Sequence, residues 1–299
     1  MTAAANGDTC REKNETPGSI RVMLVQMNST VGDKEANFEV YRKFINKAKA
    51  EEVNLVVFPE LSATGYLCYD SFYKIAEPIP GPFTSRVASL LAGSKVHVVF
   101  GMPEACSGVE GTLYNSVVLM GGKKGLIGKY RKWFLPGHSV FDEKRYFTPG
   151  SKAEVFSTCL GDMALGICYD IYFPELARFY ALKGAEILIY PTASPSARKD
   201  FFEVLTKARA IENGVFVILC NLAGVEENLV FWGGSHVVSP AGTVVAKAKY
   251  DEEDSVVAEL DLTEVRRTRP FLPMLSKDVR LELYDKLATH HRNASTSLR

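Results

Sequence analysis

At 165–177 the chain reads LGICYDIYFPELA, an apolar run that stops at Cys168 and opens into a helical pattern. A thiol there is either a small buried hydrophobe or a nucleophile presented at a strand-to-helix turn. A nucleophilic cysteine needs a base, and the sequence sets none of the five histidines beside it. His97 lies within a strand-like run, and His138 and His236 sit in or beside loops, so a Cys–His protease finds no support. Two other strand ends offer partners. In NLVVFPELSATGY, Glu60 follows Pro59 at the end of an apolar run, at a sheet rim where partial desolvation turns a carboxylate into a base near neutral pH. Read alone, it is more plainly a surface glutamate opening a loop. In IGKYRKWFLPGHSVFDEKRYFTPG, Lys129, Arg131 and Lys132 read as a basic strand edge, but Trp133, Phe134 and Leu135 follow at once. An ammonium among bulky apolar residues acts more strongly on developing negative charge. Thiol, carboxylate and ammonium together could attack a carbonyl or nitrile carbon.

Elements of regular structure must bring these ends together. Strand patterns fall at 20–28, 54–59, 95–104, 113–120, 163–168, 186–191, 215–221 and 255–262, with two more joined at Pro240–Gly242. A helix follows Asp33 as N-cap, with Phe38, Tyr41, Phe44/Ile45 and Ala48 at helical spacing. FPELARFYALKGA predicts a helix ended by Gly184, 199–214 one ended by Gly214, and LSKDVRLELYDKL a short C-terminal one. Strands outnumber helices and are half-buried in pattern, which predicts two packed sheets with helices on their outer faces. We expect a disordered lead over 1–18, one domain over 19–275, and a C-terminal helix, arm and polar tail over 276–299.

The bulk numbers narrow the function. The 299-residue chain is 46% hydrophobic, and its 35 basic and 35 acidic residues cancel, which removes the electrostatic argument for nucleic acid or an anionic membrane. No apolar run approaches the ~20 residues that span a bilayer, and the N-terminus has no signal-like apolar region. The six cysteines form no framework, and neither CxxC nor HExxH occurs. The expectation is a cytoplasmic, metal-free protein with reduced thiols.

FPELSATGY, YRKWFLP and GICYDIYFPELA together resemble the glutamate, lysine and cysteine motifs of the nitrilase superfamily, the carbon–nitrogen hydrolases. They occur in that family's order, and the similarity covers residues 20–287. The resemblance implies an α/β fold, a four-layer α-β-β-α sandwich, with a Glu60–Lys132–Cys168 triad and no cofactor. It also implies a homodimer or larger homo-oligomer formed through the helices after the cysteine and the later strands. FDEKRYF resembles the segment of a second family glutamate, here Glu143. The same stretch is similar to the glutaminase half of glutamine-dependent NAD synthetases, but WGGSH at 232–236 is not the nucleotide motif of their other half. Cys-Tyr-Asp stands where nitrilases proper usually have Cys-Trp-Glu, as in many amidases. Tyr172 stands where relatives acting on dicarboxylic acid monoamides carry an arginine. A pocket near Tyr66, Trp133, Tyr169 and Tyr172 suits a small neutral amide. Arg198 is the remaining candidate for an anionic group, and equally an exposed charge starting a helix. The expected activity is a cysteine amidase acting on a small linear non-peptide amide, with the Tyr169 backbone N–H assisting Lys132. A nitrilase or N-carbamoyl-amine amidohydrolase on the same triad, and a catalytically silent scaffold, are the alternatives.

Overall fold

The computed structural model describes residues 18–137 and 141–297. The N-terminal lead, apart from Gly18, and His138 lie outside the described residues. In chain order the first strands are β1 (Ser19–Gln26), β2 (Leu55–Val57), β3 (His97–Ala105), β4 (Leu113–Gly121), β5 (Gly125–Arg131), β6 (Val155–Thr158) and β7 (Gly161–Leu165). There follow β8 (Ile187–Thr192), β9 (Phe216–Asn221), β10 (Ala223–Glu226), β11 (Leu229–Trp232), β12 (His236–Val238), β13 (Val244–Lys247) and β14 (Asp254–Asp261). The helices are α1 (Lys34–Ala50), α2 (Phe72–Ile75), α3 (Pro82–Leu91), α4 (Glu143–Tyr146), α5 (Pro174–Leu182), α6 (Lys199–Asn213), α7 (Thr263–Thr268) and α8 (Leu281–Ser297).

Two six-stranded sheets, ordered β14-β1-β2-β3-β4-β5 and β13-β12-β9-β8-β7-β6, stack face to face between helix layers. The strand period of two explains why both faces of β1 are apolar. Ile20, Val22 and Leu24 pack with Met163, Leu165, Ile187 and Ile189 of the other sheet, while Met23 and Val25 pack with Phe38, Tyr41 and Ile45 of α1. The Asp33 carboxylate accepts the Ala36 N–H at 2.9 Å, the cap its position predicts. On the second sheet, α5 and α6 end at glycines in the left-handed region, Gly184 (φ 97°) and Gly214 (φ 56°). The chain is therefore a four-layer α-β-β-α sandwich.

Two boundaries depart from the sequence reading. The strand expected over 163–168 stops at Leu165: Gly166 still donates its N–H to Ile189 O at 3.0 Å, and the chain then leaves the sheet through the turn at Cys168 (φ 45°). The C-terminal helix begins at Leu281 and runs to Ser297, since no glycine or proline interrupts that segment. Among the described residues no helix is long and apolar enough to cross a membrane.

Candidate active site

Glu60 lies just past β2, where the chain turns through Leu61 (φ 49°). Gly101 of β3 lets that turn press onto the sheet: a Cβ there would sit 2.3 Å from the Leu61 nitrogen and 2.8 Å from the Glu60 Cα. Glu60 is 0% exposed, so the partly desolvated rim carboxylate read from the sequence is a wholly buried one. Its Oε1 accepts from Lys132 Nζ at 2.7 Å and Asn115 Nδ2 at 2.8 Å, and its Oε2 from the Ala193 N–H at 2.8 Å. Both oxygens thus have donors, as a buried carboxylate requires.

Lys132 follows β5 and is also 0% exposed. The main chain holds it on both sides, through its N–H to Asn115 O at 2.9 Å and the Gly150 N–H to its carbonyl at 2.8 Å. Its ammonium donates a second bond to Glu143 Oε1 at 2.7 Å, and that carboxylate also accepts from the Tyr66 hydroxyl at 2.7 Å and from Asn115 at 3.2 Å. Burial alone would push the Lys132 ammonium down, but the facing Glu143 and Glu60 carboxylates outweigh it and raise its pKa. Burial pushes Glu143 up, with the Lys132 charge opposing.

Cys168 opens the turn after β7 in the left-handed region (φ 45°), a conformation costing a non-glycine residue about 1–2 kcal/mol. Asp170, wholly buried, holds that turn. It accepts the Ile167 N–H at 2.9 Å, the Tyr130 hydroxyl at 2.8 Å and the Phe134 N–H at 3.0 Å, which ties the cysteine turn to the lysine segment. Burial, opposed by the Lys132 charge, pushes Asp170 up to about 7. From α6, Arg209 Nε donates to Ile171 O at 2.9 Å and closes the turn from the other side. Burial and then the Glu60 charge push the Cys168 thiol well above its ordinary value, against Lys132 and the Ala193 N–H. A thiol whose pKa is raised attacks as thiolate only with a base beside it to take its proton.

Cys168 lines a cavity of about 120 Å³ walled also by Phe141, Tyr169, Tyr172, Ser194, Arg198 and Phe202. Three residues named from the sequence, Tyr169, Tyr172 and Arg198, thus share the wall with the thiol. Tyr66 stands behind it, on Glu143. Trp133 does not join them: its indole donates to Lys152 O at 3.2 Å and lines a separate cavity with Phe134 and Phe173. Phe134, stacked on Phe173 with ring centres 3.5 Å apart, lines that second cavity beside it. Among the described residues Arg198 makes no salt bridge, and burial raises the Tyr172 phenol with the Arg198 charge opposing. Asn115 and Ser194 were not anticipated. The only signal for Asn115 is a polar pair, Asn115–Ser116, inside the apolar run LYNSVVLM.

A buried thiol beside a buried carboxylate–ammonium pair, carried on an α-β-β-α sandwich, defines a class: hydrolases of carbon–nitrogen bonds other than peptide bonds. The model of the carbon–nitrogen hydrolase family matches residues 21–270, and the chain belongs to that family, within the nitrilase superfamily. It is 37% identical to a nitrilase of Pyrococcus abyssi over 89% of this chain and 99% of that one. It is 33% identical to the omega-amidase NIT3 of Saccharomyces cerevisiae, over 91% and 97%. The crystal structure of that yeast Nit3 matches with a TM-score of 0.80 at 31% identity, covering 89% of this chain and 98% of the other. An amidase from Nesterenkonia sp. AN1, solved as a mutant with the acetamide moiety of fluoroacetamide added covalently at its active-site cysteine, matches at 0.77 and 26% identity, covering 92% and 99%. The chain is thus a hydrolase, and the silent-scaffold alternative is set aside.

Proposed function

We propose that the protein is a cysteine-dependent amidase that hydrolyses a short linear amide to an acid and ammonia. The observation that carries this reading is the buried Glu60–Lys132–Glu143 cluster set against a buried thiol on one small cavity. Glu60 takes the Cys168 proton as the sulfur attacks the amide carbon. Lys132 and the Tyr169 backbone N–H stabilise the oxyanion of the tetrahedral intermediate. Glu60 then protonates the departing ammonia, leaving a thioester, and activates the water that releases the acid. Glu143 holds the ammonium against drifting onto Glu60 alone. The related omega-amidase and the acetamide-bearing amidase support an amide as substrate, and the related nitrilase of Pyrococcus abyssi carries the nitrile as the second reading.

Arg198 alters the expected substrate. Tyr172 in place of an arginine argued for a neutral amide, but a guanidinium without an acidic partner among the described residues, on an otherwise aromatic wall, favours an amide whose far end carries an acid group. The reading includes a cytoplasmic enzyme acting on a free small molecule, in keeping with cysteines that form no disulfide among the described residues. Ammonia release from a neutral amide, an acid-bearing amide, a nitrile and an N-carbamoyl amine tests it. The acid-bearing amide should lead, and Arg198→Ala should erase that lead. A nitrile turned over faster than any amide would replace amidase with nitrilase.

A further inference from the structure

We propose that the Ser194 hydroxyl accepts a hydrogen bond from the –NH2 of the bound amide and so selects amides over substrates whose leaving group has no N–H. The inference rests on the amidase reading above. Ser194 is wholly buried, yet its Oγ has no hydrogen-bond partner among the described residues, and it lines the Cys168 cavity. Such orphans are rare in folded proteins because a buried hydroxyl without a partner is destabilising. This one is also held in place. Asn221 grips the Ser194 main chain from both sides, its Oδ1 accepting the Ser194 N–H at 2.8 Å and its Nδ2 donating to the Ser194 carbonyl at 3.3 Å. Asn221 is itself fixed by Gly233 O at 3.1 Å and by Ser235 Oγ, which accepts its N–H at 2.9 Å. The main chain that carries the hydroxyl is therefore fixed at the cavity wall.

Its position says which substrate atom it meets. The preceding Ala193 N–H is bonded to Glu60 Oε2 and lies against the Cys168 sulfur. Residues 193–194 thus stand on the Glu60 side of the thiol, where the leaving nitrogen has to be if Glu60 is to protonate it. Lys132 and the Tyr169 N–H serve the carbonyl oxygen. An –NH2 has two hydrogens, one for the Glu60 carboxylate and one for an acceptor. Two buried acceptors without a partner among the described residues stand on that side, Asn115 Oδ1 and Ser194 Oγ, and of the two Ser194 lines the Cys168 cavity. An ester or nitrile has no hydrogen to offer it.

An amide and the methyl ester of the same acid pass through the same thioester, so kcat/KM compares only the steps that form it. In Ser194→Ala we expect kcat/KM for the amide to fall about tenfold, the loss of one neutral hydrogen bond. The ester should stay within about twofold of wild type, and the melting temperature should not drop, because no protein partner is lost. Equal losses on both substrates, or no loss on the amide, overturn the proposal. Should the alanine variant not fold, Ser194→Cys, similar in shape but a weaker acceptor, is read by the same comparison. Cys168→Ala is assayed alongside. Amide turnover surviving there would overturn the amidase reading itself, whereas an inactive Cys168→Ala beside an indifferent Ser194→Ala overturns only the role of Ser194.

Discussion

Lys132 is the residue whose loss is hardest to absorb. It sits between two carboxylates, and removing one partner of a buried ion pair costs about 3–5 kcal/mol because the other charge is left unpaired. Lys132→Ala should therefore lose both turnover and stability, seen as a lower urea midpoint and no ammonia release. Adding Glu143→Gln should restore much of the stability and none of the activity, since the second carboxylate is then no longer uncompensated. If the single variant is as stable as wild type, the ammonium is not holding the cluster together. Cys168→Ala, by contrast, removes one sulfur and should change stability by about 1 kcal/mol or less while ending turnover. These two residues also differ in how legible they are before folding. The cysteine stands at the end of an apolar run, where its availability to chemistry can be read. Lys132 reads as part of a basic edge, and its neighbours are one: Lys129 and Arg131 both pair with the buried Glu104. Lys132 stands one residue further along the ladder, its N–H on Asn115 O at 2.9 Å, and so faces the opposite side of the sheet from Lys129 and Arg131, which a count of charges alone does not show. Asn115 and Ser194 were invisible for a related reason, because a single polar residue in a strand or loop has no period to detect.

At the level of elements, the β10–β11 hairpin works as a clamp on the segment that follows Glu60. Glu226 reaches from it to accept the backbone N–H groups of Tyr66 at 2.9 Å and Leu67 at 2.8 Å, and Tyr66 in turn holds Glu143. Burial pushes Glu226 up from 4.5 to about 7, with the two N–H donors opposing. An acid with a raised folded pKa keeps a proton that the unfolded chain has already lost. Its contribution to stability is thus present below about pH 4.5 and disappears as pH rises through about 7. Glu226→Gln keeps an acceptor and never ionises. Its melting temperature should gain on wild type between about pH 5 and about pH 8, a difference on the order of 3 kcal/mol at most. A constant gap across that range would show that Glu226 does not titrate there. The turn at Glu60 offers a sharper lesion. Gly101→Ala should dislodge the Leu61 and Glu60 backbone and abolish turnover, although the substitution lies on a strand that touches no substrate. The sequence located β3 well and said nothing of this contact, because local pattern records which face a residue shares with its own strand and not what presses on it from another. For the same reason the 223–232 hairpin went unread: it pairs with itself and is only partly apolar.

For the whole molecule, the outer layer of the second sheet carries more apolar surface than a solvent-facing layer needs. Phe201, Val204 and Ile211 of α6 are 53%, 65% and 50% exposed, and Phe179 and Leu182 of α5 are 43% and 45% exposed on the adjoining helix. Exposed apolar side chains on two neighbouring helices suit an interaction surface, and a second copy of the chain would cover them with matching chemistry in a symmetric dimer. We therefore expect the dimer mass by light scattering at micromolar concentration. The consequence reaches the cavity, because α6 presents Phe202 to it and begins directly after Arg198. A dimer contact on the outer face of α6 would brace the wall that binds substrate. Phe201→Asp with Val204→Asp should yield a folded monomer whose KM for the acid-bearing amide rises several-fold while kcat changes little, since both positions face solvent and neither lines the cavity. Wild type found as a monomer would remove the interface. A monomeric double variant with unchanged KM would leave the dimer standing and show that α6 holds the substrate wall in place without help from a partner.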